Sequence, residues 1–156
     1  MKKILSVVLA SCVILSCALP VAAIMPADTN TLSVFETYDD GSYGVITIAE
    51  EQYYSRAAKT KSGTKKYEYF SANGTLQWTA YLKASFTYNG NTSSCSSVDS
   101  LTISIQDNDW SVYSKASSKS GNTAVGDITM ARKMLVGSSK FPVKVVLSCD
   151  KDGILS

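Results

Sequence analysis

The sequence contains no histidine, and that absence removes more chemistry than any residue present adds. Without an imidazole there is no Ser-His-Asp or Cys-His relay, no base whose ordinary pKa lies near neutrality, and none of the commonest zinc ligand. Proline is scarce, at 3 of 156 residues, and no long segment repeats. Charge of either sign is thin: charged residues make up 18% of the chain, with a formal net charge of +2. Lys2 and Lys3 account for that excess, so the 133 residues from Ile24 onward carry 13 bases against 13 acids. A nucleic-acid binder needs a basic footprint that a neutral chain lacks, so nucleic acid is not an expected partner.

One long apolar run exists, from Ile4 to Leu19, behind Lys2-Lys3 and ahead of Pro20-Val21-Ala22-Ala23. A positive start, an apolar stretch and small residues at the third and first positions before a break make residues 1–23 a secretory signal peptide, with cleavage after Ala23. Two rivals use the same residues: a lipobox at Leu9-Ala10-Ser11-Cys12, lipidating Cys12, and an uncleaved anchor. The expected location is secreted, with no membrane span in the mature chain. Of the four cysteines, Cys95 and Cys149 then remain. Two cysteines in an oxidising compartment most often pair, and closing that loop stabilises by roughly 4 kcal/mol on the chain-entropy model. A Cys95–Cys149 disulfide is therefore expected. A reactive thiol is not, because C-x-x-C and any activating histidine are absent.

Charge is segregated along the mature chain. Residues 24–55 hold six acids (Asp28, Glu36, Asp39, Asp40, Glu50, Glu51) and no base, and residues 56–66 hold five bases (Arg56, Lys59, Lys61, Lys65, Lys66) and no acid. This reads as an acidic leader and a solvated basic loop over residues 24–63, with one strand at Val45–Ile48. Two sharper readings share the pattern: a pro-segment removed near Arg56, and a leader that folds back onto the basic stretch. Ala49–Lys61 is the only doubtful helix.

From residue 64 the apolar period is two. Leu76, Trp78, Ala80, Leu82, Ala84, Phe86 and Tyr88 alternate with polar residues over thirteen positions, which describes one long strand with a buried face. Asn73-Gly74 before it and Asn89-Gly90 after it read as hairpin turns, the two-residue form requiring positive φ at both positions. Leu101/Ile103/Ile105, Trp110/Val112, Ile128/Met130/Met134 and Val143/Val145/Leu147/Cys149 mark further strands, with turns at Gly121-Asn122 and Gly137-Ser138-Ser139. The expected fold for residues 64–156 is all-β, an antiparallel β-sandwich of about six or seven hairpin-connected strands. Trp110 lies between the two cysteines as in immunoglobulin domains. Only seven residues follow Cys149, too few for the further paired strand that topology needs, so it is not assigned.

Phe86-Thr87-Tyr88-Asn89-Gly90 followed by Cys95, then Trp110-Ser111-Val112, Ser117-Ser118-Lys119-Ser120-Gly121-Asn122, and the ending Leu147-Ser148-Cys149 to Leu155-Ser156 resemble a group of small secreted β-domain proteins from Gram-positive, Clostridia-type bacteria. The resemblance covers about 90 residues and implies export and a small β-domain. It supplies no catalytic residue to carry over.

Candidate sites are few. Asp107-Asn108-Asp109 and Asp150-Lys151-Asp152-Gly153 lack the third oxygen position and the distal glutamate of a calcium loop, and such residues are ordinary in turns. No metal or cofactor is expected. The acids after residue 66 sit beside turn residues rather than in facing pairs, so no enzyme is expected. Tyrosine is the surplus. Tyr67 and Tyr69 share a face, Tyr81 lies on the polar face of the long strand, and Lys65 and Lys66 are adjacent. Aligned outward, these residues make a flat aromatic platform suited to sugar rings or peptides. The expected function is an exported, non-catalytic module binding a glycan, a cell-wall polymer or an extracellular protein. The alternative is a small secreted effector, antimicrobial or peptidase-inhibiting, activated by processing near Arg56.

Overall fold

The computed structural model describes residues 34–53 and 59–156, which form eight antiparallel strands in two sheets, with no helix among the described residues. The strands are β1 (Val34–Thr37), β2 (Tyr43–Tyr53), β3 (Lys59–Phe70), β4 (Leu76–Tyr88), β5 (Ser93–Ile105), β6 (Trp110–Ser120), β7 (Thr123–Lys133) and β8 (Ser138–Ser148). The first five form one sheet in chain order and the last three form the second, also in chain order. The chain is thus a meander folded once, at the β5–β6 turn, into a β-sandwich with β8 over β3 and β7 over β4. Residues 1–23, Cys12 and Arg56 lie outside the described residues.

The period-two reading of β4 holds for its central apolar positions, while Leu76 and Tyr88 at its ends are half-buried and Gln77 and Thr79 of the polar face are buried as well. Trp78, Ala80, Leu82, Ala84 and Phe86 are fully buried, and they meet Ile128, Met130, Val145 and Leu147 of the opposite sheet. Cys149 points into the core as its place in the alternation requires.

The domain begins well before residue 64. The described part of the acidic segment, from Val34 to Tyr53, holds β1 and β2, and the basic residues from Lys59 to Lys66 lie in β3 rather than a loop, so this part folds back onto the basic stretch. Charge complementarity runs along the ladder. Lys61 Nζ lies 2.6 Å from Glu50 Oε2 with both side chains only 12–13% exposed, and Glu51 accepts from Lys83 of β4 at 2.9 Å. The described ends of Ala49–Lys61 are strand, β2 running to Tyr53 and β3 starting at Lys59.

Three hairpins share one turn. In Tyr38–Ser42, Ser71–Thr75 and Asp150–Ile154 the first amide donates to the fifth carbonyl (2.9, 3.0 and 2.9 Å) and the glycine amide donates back to the first carbonyl (3.0, 2.8 and 3.1 Å). Gly41, Gly74 and Gly153 take φ of 78°, 80° and 86°, whereas no non-glycine residue among the described residues has positive φ. Asn73 therefore stays right-handed, correcting the two-residue reading. Here Asn-Gly and Asp-Gly mark a type I turn closed by a left-handed glycine bulge; Asp40 and Asn73 accept from the amide two residues ahead, and in the third turn Asp150 accepts from the amides of Asp152 and Ile154.

The expected disulfide is absent; Cys95 and Cys149 are free and buried. Their amides flank the same β6–β7 turn, Cys95 N donating to Gly121 O (2.8 Å) and Cys149 N to Asn122 O (3.1 Å). The thiols diverge from there. Cys95 Sγ donates to Ser97 O at 3.4 Å, with Lys119 and Asp99 as its charged neighbours. Cys149 Sγ donates to Asp150 O at 3.5 Å, with Lys61 and Glu50 nearby in the other sheet. A shared compartment favours pairing but does not aim the Cβ vectors, and geometry decides.

The edges of the two sheets are guarded. Lys115 Nζ donates to Leu101 O at 3.2 Å and Lys119 Nζ donates to Ser96 O, so lysines of edge strand β6 satisfy carbonyls of edge strand β5. Charges placed this way keep an edge from templating another chain. Edge strand β8 carries Pro142, which cannot donate to a further strand.

Candidate functional site

All odd-to-even hairpins of a meander turn at the same end, and here that end carries the site. It gathers the β1–β2 turn (Asp39, Asp40, Ser42), the β3–β4 turn (Ser71, Asn73), and Arg132, Met134, Ser139 and Phe141 from the β7–β8 hairpin. A cleft of about 410 Å3 opens between Tyr38, Tyr69, Trp110 and Phe141, and a second of about 360 Å3 adjoins it, the two sharing Asp40, Ser42, Tyr69 and Arg132.

Its wall is aromatic and rigid. Phe141 meets Tyr38 edge-on with ring centroids 4.9 Å apart, and Tyr69 lies 4.9 Å from Phe141 and 5.3 Å from Trp110. Behind them Trp78 stacks on Tyr67 at 5.3 Å and on Tyr69 at 5.4 Å. Tilted and edge-to-face pairs of this kind fix ring orientation beyond what burial alone gives. Trp110 is fastened at its polar end, where Nε1 donates to Gln77 Oε1 at 3.2 Å. Gln77 also uses its backbone carbonyl to accept from Gln106 and Asp107, which anchors the β5–β6 turn.

Polar groups converge on this wall in a defined order. Tyr69 Oη donates to Ser42 Oγ at 2.8 Å, and Ser42 donates through Oγ (2.5 Å) and its amide (3.0 Å) to Asp40 Oδ1. The Ser42 hydroxyl and amide, with Arg132 adding its charge, hold the Asp40 carboxyl below the ordinary carboxylate range. A carboxylate so stabilised is a weak base and a firm hydrogen-bond acceptor. The Arg132 guanidinium lies 5.7 Å from the centre of the Trp110 ring, within cation–π range. Among the described residues no group of three or more Cys, Asp or Glu side chains is arranged to hold a metal ion.

Of the residues expected to form a site, one reaches this cleft. Tyr69 lines it, although 96% of the residue is hidden and only its hydroxyl end takes part in the polar chain. Tyr67 is core, 1% exposed; its hydroxyl meets that of Tyr38 at 2.7 Å, which in turn donates to Glu36 at 3.2 Å, and burial pushes its pKa far up. Lys65 faces inward beside Ile48 and Leu82 in register, and burial lowers its pKa. Tyr81 and Lys66 are register partners on the outer face, where Lys66 pairs with Glu68 at 2.9 Å. The expected platform of Tyr67, Tyr69 and Tyr81 therefore does not exist. Tyr67 pairs with Ala80, an inward residue, so parity puts the first two tyrosines inside and Tyr81 outside.

Sequence reasoning missed Tyr38, Asp40, Arg132 and Phe141. Asp39-Asp40-Gly41 carried the turn signal that places Asp40, but nothing in the spacing linked it to Arg132, some ninety residues later. The chain matches no protein-family model, no curated protein and no solved structure.

Proposed function

We propose that this chain is an exported, non-catalytic binding module that recognises an extracellular glycan, wall polymer or protein through the turn end of its sandwich. The observation that carries the reading is the cleft itself: four packed aromatic side chains forming one wall, with Asp40, Arg132, Ser139 and Asn73 offering both donors and acceptors around it. Aromatic faces beside a few oriented polar groups suit a hydroxylated ring, which has apolar faces and a polar rim. Catalysis is disfavoured by the same geometry. In the cleft the Ser42 hydroxyl donates to Asp40, a carboxylate whose lowered pKa leaves little driving force to take a proton. Export rests on residues 1–23 and on the resemblance to small secreted β-domains.

The test is titration of the protein against a panel of wall polymers, neutral and charged oligosaccharides and peptides, followed by tryptophan fluorescence, since Trp110 borders the cleft. Arg132→Ala and Asn73→Ala are each expected to weaken binding about ten-fold, the scale of one lost hydrogen bond to a charged or oriented group. Tyr81→Ala, on the opposite face, is expected to bind as wild type. Saturable binding untouched by both cleft variants, or no binding across the panel, overturns the reading.

A further inference from the structure

The β7–β8 hairpin ends in Met134-Leu135-Val136-Gly137, and its apolar side chains are 51%, 108% and 93% exposed. Isolated surface leucines are ordinary, but three consecutive large apolar residues at a hairpin apex are not. Nothing inside the fold needs them there. The strands beneath end on the Lys133–Ser138 pair, and Gly137, with φ of 77°, closes the turn. Met134 N donates to Gly137 O at 3.1 Å, so the tip is a formed turn with its backbone paired.

Two further observations say what covers it. First, Leu135 and Val136 at the apex are almost wholly exposed, while Met134 borders the cleft and Lys133 N donates to Asp109 O at 2.7 Å, tying the hairpin below the tip to the β5–β6 turn. Second, its collar is basic. Arg132 and Lys133 precede the tip and Lys140 follows it, and no acid occurs between Asp127 and Asp150. Four aspartates lie on neighbouring turns of this end. Asp40 is bonded to Ser42, Asp107 accepts from the amide of Asp109, and Asp39 and Asp109 complete the set. Asp39 and Asp40 line the cleft beside Arg132 and Met134, and Asp109 O accepts from Lys133 N below the tip.

We infer that this tip is a membrane-docking element, inserting Met134, Leu135 and Val136 into the interfacial region of a bilayer while Arg132, Lys133 and Lys140 meet anionic headgroups. An apolar wedge with a basic collar is the arrangement that gains from both halves of a lipid surface: acyl-boundary burial and headgroup charge. A protein groove would take the wedge but gives no reason for the collar. Near such a surface each base contributes about five-fold in binding, lost as salt screens it. Docking would also hold the cleft close to the membrane plane, because Arg132 and Met134 belong to both features.

The test places a reporter on the tip. Leu135→Trp sits at a fully exposed position and leaves the fold unchanged, and its added indole is read as the difference from wild type, whose Trp78 and Trp110 are buried. With vesicles of phosphatidylglycerol and phosphatidylcholine carrying brominated acyl chains, the added indole is expected to shift to the blue and be quenched. Vesicles of phosphatidylcholine alone, or added salt, should weaken the effect. Leu135→Ser/Val136→Ser is expected to bind anionic vesicles at least about ten-fold more weakly, consistent with losing two apolar side chains from the interface. The quenching is local, so the apolar run at residues 4–19 cannot produce it. An added indole that stays unshifted and unquenched with vesicles in excess overturns the proposal and leaves the tip to a protein groove. So does a serine variant that binds as tightly as wild type.

Discussion

Gly44→Ala isolates the packing argument in one methyl group. Gly44 is in β2 opposite Tyr69, with no unusual φ, so in an empty strand the change to alanine would be favourable by about 0.5–1 kcal/mol. This site is not empty. A Cβ there would lie 2.5 Å from the Tyr67 hydroxyl, 2.7 Å from Cζ and 2.9 Å from Cε2. Real contacts need more than 3 Å, so the ring must move by several tenths of an ångström, and it is held on two sides. Its face stacks on Trp78, and its hydroxyl bonds that of Tyr38 at 2.7 Å. Overpacking a tight core costs about 1–3 kcal/mol, and pulling the hydroxyl off its partner adds a comparable penalty for a buried polar group. Against the propensity gain, the net expectation is a destabilisation of about 3 kcal/mol. Urea denaturation followed by intrinsic fluorescence reads it as a fall in midpoint at unchanged slope. In a Tyr67→Phe background, where the ring has no hydroxyl and is untethered, the same substitution should cost at least about 1 kcal/mol less, a coupling that only contact produces. A neutral or stabilising Gly44→Ala would refute the placement of Tyr67 over β2, and with it the claim that the acidic segment is part of the domain.

Two other measurements probe features that sequence reading did not anticipate. Cys149 is buried next to Asp150, which together push its thiol up to about 11, and burial raises Cys95 as well. Near pH 8 both thiols should therefore be protonated and shielded, unreactive toward a disulfide reagent in the folded protein and titratable once denaturant is added without reductant. A denatured protein that shows no thiol from residues 95 and 149 would restore the disulfide. Tyr113, exposed on the β6 bulge, lies under Lys140 with Nζ 3.7 Å from the ring centre, and a hydrogen bond and the charge of Lys140 lower its pKa. A lowered phenol pKa favours the phenolate, so an ultraviolet titration should show a first phenolate step below the ordinary tyrosine range that is lost in Tyr113→Phe. Lys140→Met should delay that first step, and an unchanged titration would separate the two side chains.

Legibility followed burial geometry. β4 was read correctly because one face is wholly apolar and the other polar, which is the only circumstance in which period two is visible. The first half of β3 is hidden because its inward face opens on Lys61, Gly63 and Lys65, charged or bare positions compensated by Glu50 on the neighbouring strand and by Leu155 of the C-terminal tail packed on Gly63. β6 was equally obscure beyond Trp110, since its inward positions are Lys115, Ser117 and Lys119, which serve the edge of β5 and not the core. The tyrosine error was one of parity. A shared surface for Tyr67, Tyr69 and Tyr81 requires a hairpin register that composition does not specify, and a single-residue offset in a hairpin exchanges inside for outside. The cleft is least legible, because its residues come from the β1–β2, β3–β4 and β7–β8 hairpins and from Trp110 at the β5–β6 turn, and only the fold brings Asp40 to Arg132.

The same geometry bears on the alternative in which cutting near Arg56 releases an active effector. Arg56 falls between β2 and β3, so a cut there severs the connection but not the ladder. Eleven residues of β2, Tyr43 to Tyr53, remain register-paired with Thr60 to Phe70. They supply Ile48 to the core, Gly44 beneath the Tyr67 ring, and the Glu50 carboxylate to Lys61. Removing that strand would strand a nearly buried lysine, at a cost of about 3–5 kcal/mol, and truncate the core around Ile48 for about 2–5 kcal/mol more. Domains of this size hold only about 5–15 kcal/mol in total. The cut protein should therefore stay whole: both fragments should elute together in native gel filtration and part only in denaturant. An effector formed by processing would have to fill the vacated place beside β3 with a strand from elsewhere, because a free twelve-residue edge at Lys59–Phe70 carries a full row of unpaired amides and carbonyls. If the C-terminal fragment instead elutes alone, folded and soluble, β2 is not integral to the core, and activation by processing becomes the better account of the segregated charge.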